Sequence, residues 1–240
     1  MRPPRPRSDT VFHLVHPIPD NLDGRRAQIM ISDGRMTLSG ALCVHDRSSP
    51  LIVVPIAQGD LGDASRDAAL ADALRMEGFN TLLLHLLVPR ECAIDQRTAR
   101  VRQQVRLLTD RFLSALNAFR VSPLARNLRV GVFASGTATA IGLRAAVAEP
   151  GLVRAVVSRS GRPDLAGTDL ERVITPTLLL VGEQDRLLVR INEQAQTHFS
   201  YNCRLEIVLG ASRTFDGPGK TAVLVQRARD FFETHLTAPN

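Results

Sequence analysis

Six short apolar runs recur along the chain with helix-like segments between them. They are "LIVVPIA" (51–57), "NTLLLHLL" (80–87), "LRVGVFA" (128–134), "VRAVVS" (153–158), "PTLLLVG" (176–182) and "CRLEIVLG" (203–210). A continuous apolar run of this length is what a strand covered on both faces requires. Strands that alternate with helices across both faces make a mostly parallel sheet, because a parallel connection needs a crossover. Two further segments, "RAQIMIS" (26–32) and "MTLSGALCV" (36–44), alternate in polarity and are joined by "DGR". They predict an antiparallel hairpin ahead of the parallel strands. The predicted fold class is therefore α/β.

The intervening helices are predicted over 65–77, 95–120, 137–148, 190–199 and 219–236. In the long 95–120 segment Val101, Val105, Leu108, Phe112, Leu116 and Phe119 fall on one face. Arg97, Arg102, Arg106 and Arg111 fall mostly off it and read as a solvated surface. The stretch "RSGRPDLAG" (159–167) reads as a loop. Residues 1–20 are rich in proline and basic residues and are expected as a disordered tail, with one domain over 21–240.

Composition narrows the function. The net charge is +6, with a pI of about 10.4. Lys220 is the only lysine, and the arginines are scattered among acids rather than gathered into a block. With one tyrosine and no tryptophan there is little base-stacking equipment. No specific nucleic-acid partner is expected. No apolar run reaches the roughly 20 residues of a membrane span, and the N-terminus lacks the apolar core of a secretory signal. Cys43, Cys92 and Cys203 are far apart, with no metal-ligand spacing. The location expected from this pattern is a reducing cytoplasm, with no metal and no organic cofactor. A protein partner or a homo-oligomer is not readable.

In open α/β sheets ligands bind beyond the carboxyl ends of the strands. The loops after 57, 87, 134, 158, 182 and 210 are therefore the candidates. The segment "VGVFASGTATA" (130–140) has the character of a strand turning sharply into a helix.

The segments "EGFNTLLLHLLVP" (77–89), "VGVFASGTATA" (130–140), "VRAVVSRSGRPDLAG" (153–167), "TPTLLLVGEQD" (175–185) and "IVLGASRTFDGPG" (207–219) together resemble an α/β-hydrolase. More narrowly they resemble the dienelactone hydrolase-like group, the type sometimes fused to a phosphoribosyltransferase domain. The resemblance covers residues 25–237. It implies a nucleophile elbow of G-x-S-x-G type, then a triad acid and a triad histidine in that order, and no cofactor.

Two frames fit the elbow. In one, "ASGTA" (134–138) places small residues on both flanks and Gly136 at the nucleophile position. In the other, Ser135 is the nucleophile and Phe133 stands where a glycine is wanted. The first fits better, because strand and helix pack closely at an elbow. Asp185 occupies the acid's place, although a turn aspartate capping a helix would look the same. Arg213, in "GASRTF", stands where the resemblance puts the histidine, and arginine does not lose its proton in the working range. Gln58-Gly59 stands where the group has His-Gly, shaping the loop that supplies one oxyanion N–H. Thr137 follows the apex, and Arg159 lies in a neighbouring loop.

The resulting expectation is a catalytically degenerate hydrolase that binds a small molecule or anion, or regulates. Asp185 and Arg213 are expected to pair, with Arg159 and Arg162 adding positive charge. The alternative is an active ester or lactone hydrolase that uses Ser135, His85 and Asp185. His85 ends the "TLLLH" run and would face the same crevice, unless it is a buried histidine bonded to a carbonyl.

Overall fold

The computed structural model describes residues 12–16, 18, 26–59, 61–121 and 129–237. Among these residues nine strands form one sheet, in the order β1-β2-β3-β5-β4-β6-β7-β8-β9. They are β1 (His13–Leu14), β2 (Arg26–Ser32), β3 (Thr37–Cys43), β4 (Leu51–Ile56), β5 (Asn80–His85), β6 (Val130–Ser135), β7 (Val153–Arg159), β8 (Thr177–Gly182) and β9 (Cys203–Val208). β2 and β3 are the predicted hairpin, and β3 runs antiparallel to β5. From β5 through β9 every pairing is parallel. β1 pairs with β2 and Phe12 is buried, so the sheet reaches into the stretch expected as a tail. Residues 1–11, 17, 19 and 20 of that stretch lie outside the described residues.

The helices are α1 (Leu61–Met76), α2 (Pro89–Thr98), α3 (Val105–Arg120), α4 (Ala138–Ala148), α5 (Arg186–Gln196) and α6 (Lys220–Leu236), and a 3-10 segment covers Pro163–Arg172. The sheet separates two apolar cores, and strand alternation decides which side chain joins which. On one face Ile52, Val54 and Ile56 of β4 and Phe133 of β6 pack with Leu70 and Leu74 of α1 and with Leu224, Ala228 and Phe232 of α6. On the other, Leu51, Val53, Val130 and Val132 pack with Leu108, Phe112 and Leu116 of α3 and Ile141 and Ala145 of α4.

Three expectations are corrected. The single 95–120 helix is two helices, because Ala99 adopts a left-handed conformation (φ 51°) and ends α2. The arginines of this segment are not uniformly solvated: Arg102 and Arg111 are half-buried in ion pairs. The 159–167 loop enters the 3-10 segment at Pro163, where proline lacks only an amide that a helix start leaves unpaired. Among the described residues no helix is long and apolar enough to cross a membrane, no group of His, Cys, Asp or Glu is placed to hold a metal, and all three cysteines are free thiols.

Candidate functional site

β6 ends at Ser135, and α4 begins at Ala138. The two residues between them make the turn, and Gly136 has φ +53°. That region is costly for a residue with a Cβ and open to glycine. The positive φ marks Gly136, not Ser135, as the apex. Among the described residues a Cβ built on Gly136 would meet only Gln58 Oε1, at 3.8 Å. The Gly136 carbonyl accepts the Arg162 amide at 2.9 Å and the Thr139 amide at 3.3 Å. Thr139 Oγ1 and Ser158 Oγ are 2.9 Å apart. These bonds press the loop after β7 onto the start of α4.

Ser135 faces away from α4. It lies two residues beyond Phe133, so alternation turns it toward α1. There its hydroxyl donates to Asp67, with 3.1 and 3.0 Å to the two carboxylate oxygens. Arg159 is the register partner of Ser135 across the β6–β7 ladder, and its Nη2 donates to Asp67 Oδ1 at 2.9 Å. The side chains of Arg159 and Asp67 are 5% and 2% exposed. Asp67 was not singled out from the sequence. The signal was there, because it shares one helix stripe with Leu70, Ala71 and Leu74, all buried. An acid on an apolar stripe needs a buried partner.

The Gln58-Gly59 loop is gripped by α2. The Gly59 amide donates to Asp95 Oδ2 at 3.0 Å, and Gln96 Nε2 donates to the Gly59 carbonyl at 2.7 Å. A Cβ on Gly59 would come within 2.5 Å of the Cys92 carbonyl oxygen, so the approach admits only glycine. Asp95 is fully buried and also accepts from Arg102 N (2.9 Å) and Arg102 Nε (2.7 Å). Burial alone would raise its pKa. The Arg102 and Gly59 amides and the Arg102 guanidinium outweigh that and hold the carboxyl below its ordinary range.

The remaining candidates do not assemble into a triad. The Asp185 carboxylate accepts the Leu188 amide at 3.0 Å and caps α5. The expected Asp185–Arg213 pair does not form: no ion pair joins them among the described residues, and Arg213 is exposed. Arg162 is taken by Asp164, at 2.8 and 2.7 Å. His85 is half-buried, and desolvation lowers its pKa. Among the described residues it bonds neither to Ser135 nor to a backbone carbonyl. Thr137 takes the residue before α4, with helical angles and no side-chain cap. What does converge is a small crevice of about 20 Å³ lined by Gln58, Ser135, Gly136, Arg159, Ser160, Arg213 and Thr214. Ser160, absent from the sequence-derived candidates, is 3% exposed and has φ +45°.

A parallel sheet with an antiparallel start, helices on both faces and a sharp strand–turn–helix elbow at its carboxyl edge defines an α/β-hydrolase fold. The dienelactone hydrolase of Anabaena variabilis superposes with a TM-score of 0.82 at 33% identity, over 88% of this chain and 98% of that one. The chain belongs to the dienelactone hydrolase-like family. A dienelactone hydrolase-like promiscuous phosphotriesterase, P91, from metagenomic libraries shares the fold at 18% identity, with a TM-score of 0.64 over 88% of this chain and 98% of that one. Over 90% of its length the chain is also 34% identical to a Mycobacterium tuberculosis protein whose name provisionally calls it a phosphoribosyl transferase. The chain spans about half the length (48%) of the curated relatives it matches. No family profile matches the chain.

Proposed function

We propose that this chain is a catalytically silent member of its family that holds a small ligand, anionic in character, in the crevice above the elbow. The observation that carries this reading is Gly136 at the apex, with φ +53° and no side chain. A serine hydrolase attacks with an oxygen presented from that position. Arg213, in the loop where the family places its histidine, stays protonated and cannot accept a proton from a nucleophile. Ser135, one residue earlier, gives its hydroxyl to a carboxylate that Arg159 already holds. An ion-paired carboxylate is a weak base, so this contact fixes Ser135 rather than activating it. In a comparable triad, loss of the nucleophile or of the base each lowers turnover on the order of 10⁶-fold.

Assays with short p-nitrophenyl esters and lactones test the reading. The expected rate equals that of buffer alone. Turnover that disappears in Ser135→Ala would overturn the reading in favour of an active hydrolase with a displaced site. The double substitution Gly136→Ser with Arg213→His is expected to give only weak ester hydrolysis, because the Gly136 Cβ position is open but Asp185 caps α5 and does not hold residue 213.

A further inference from the structure

Ser160 carries two unfavourable features that a silent elbow does not explain. It follows β7 with φ +45°, where a side chain crowds the backbone. Its hydroxyl is buried and has no hydrogen-bond partner among the described residues, whereas its amide is spent beside the sheet, donating to the Leu180 carbonyl at 2.8 Å. Glycine would satisfy the backbone and bury no orphan hydroxyl. A strained, unpaired polar group of this kind belongs where a ligand completes it.

The surroundings define the ligand's charge. Ser160 lines the crevice together with Gly136, Gln58, Arg159 and Arg213, and among the described residues no carboxylate lines it. Asp67 lies behind Arg159 and is neutralised by it. At the Gly136 wall α4 begins, and the Thr137 and Ala138 amides that open it have no backbone acceptor among the described residues. The positive end of an 11-residue helix therefore adds to the charge of Arg213 there. Arg213 is exposed and forms no ion pair among the described residues. The space of about 20 Å³ suits one water-sized atom. It admits one oxygen of a ligand, not a whole organic substrate.

We infer that the crevice is a standing oxyanion site, in which Ser160 Oγ donates to one oxygen of a phosphate or carboxylate group seated above Gly136. That oxygen occupies the place left by the missing nucleophile, and Arg213 reaches the outward oxygens. The inference rests on the silent-elbow reading, because a serine at Gly136 would fill the same space.

Thermal unfolding and calorimetric titration with inorganic phosphate and with acetate, against sodium chloride at matched ionic strength, test it. The wild-type protein is expected to gain melting temperature with one or both oxyanions and not with chloride. A response to phosphate alone or to acetate alone assigns the group. Ser160→Gly is expected to melt higher than wild type without anion, since the strain and the orphan hydroxyl are both gone. The same variant is expected to bind the oxyanion about ten-fold more weakly, as befits loss of one hydrogen bond to a charged group. Arg213→Gln is expected to weaken binding while leaving the anion-free melting temperature unchanged. Wild-type protein indifferent to both oxyanions, or Ser160→Gly with unchanged affinity or a lower anion-free melting temperature, overturns the inference. Ester turnover by the same preparation is a separate failure, of the silent-elbow reading.

Discussion

Ser135, Asp67 and Arg159 show how one residue's register decides its chemistry. Phe133 packs on the α1 and α6 side of the sheet, and Ser135, two positions on, must face the same way. It therefore meets Asp67 rather than the helix that follows it. Arg159 is its ladder neighbour and completes a buried cluster of one acid, one base and one hydroxyl. Breaking a buried pair from one side leaves a stranded charge. Asp67→Asn keeps the shape and removes the charge, so urea unfolding is expected to show a loss of about 3–5 kcal/mol. Ser135→Ala removes a single bond to a carboxylate and is expected to lose about 1.5–3 kcal/mol. A loss from Asp67→Asn below 1 kcal/mol would show that solvent, not Asp67, satisfies Arg159. The alternation that orients Ser135 was legible in the sequence. The identity of its partner, 68 positions away, was not.

Among elements, the break between α2 and α3 matters most. The apolar stripe Val101, Val105, Leu108, Phe112 runs on without a gap, so periodicity alone predicts one helix. The chain turns back at the left-handed Ala99, and Arg102 returns to Asp95 through both its amide and its guanidinium. Arg111 of α3 then grips Glu91 of α2 through two bonds of 2.7 Å. The pair of helices becomes a brace behind Gly59. The Asp95 carboxyl is held below its ordinary range in the folded protein, so the native state binds fewer protons than the unfolded chain in that interval. Its stabilisation is complete above the unfolded pKa of about 4. It is lost as pH falls through the folded value. Asp95→Asn is expected to lower stability at pH 7 by about 1.5–3 kcal/mol and to flatten the acid limb of the stability curve. Urea unfolding from pH 7 down to pH 3 reads both, and an unchanged acid limb would assign the pH dependence to other carboxylates.

At the scale of the whole molecule, the crevice exists only because four separate loops end at one edge of the sheet. Gln58 follows β4, Ser135 and Gly136 close β6, Arg159 and Ser160 close β7, and Arg213 and Thr214 follow β9. Two close approaches fix their spacing. A Cβ on Gly161 would fall 2.1 Å from both Ser158 Oγ and Thr139 Oγ1, and one on Gly182 would fall 2.2 Å from the Ser212 carbonyl oxygen. Phe215, fully buried, anchors the same loop from the other side, so Arg213 stands over the crevice rather than in the core. Gly182→Ala is expected to cost about 1–3 kcal/mol or more by overpacking and to displace Arg213. Thermal unfolding reads the first effect. A smaller phosphate- or acetate-induced shift reads the second, and an unchanged shift would mean that the loop adjusts without moving its arginine.

The sequence by itself determined the strand count from β2 to β9, the hairpin start, the parallel order of class and the family, because each follows from local periodicity or from contiguous motifs. It also marked Gly136, since small flanking residues are a local requirement of the elbow. Only the tertiary structure decided what the neighbouring groups do. Asp185 reads equally well as a triad acid or a helix cap until the Leu188 amide is seen on it. Arg213 reads as its partner until the loop is seen to hold it apart. Asp95 and Ser160 carried no motif at all, and Asp67 showed only as an acid on an apolar stripe. Their roles arise from contacts between segments distant in the chain, or from one backbone angle, and the identity of a residue does not encode either.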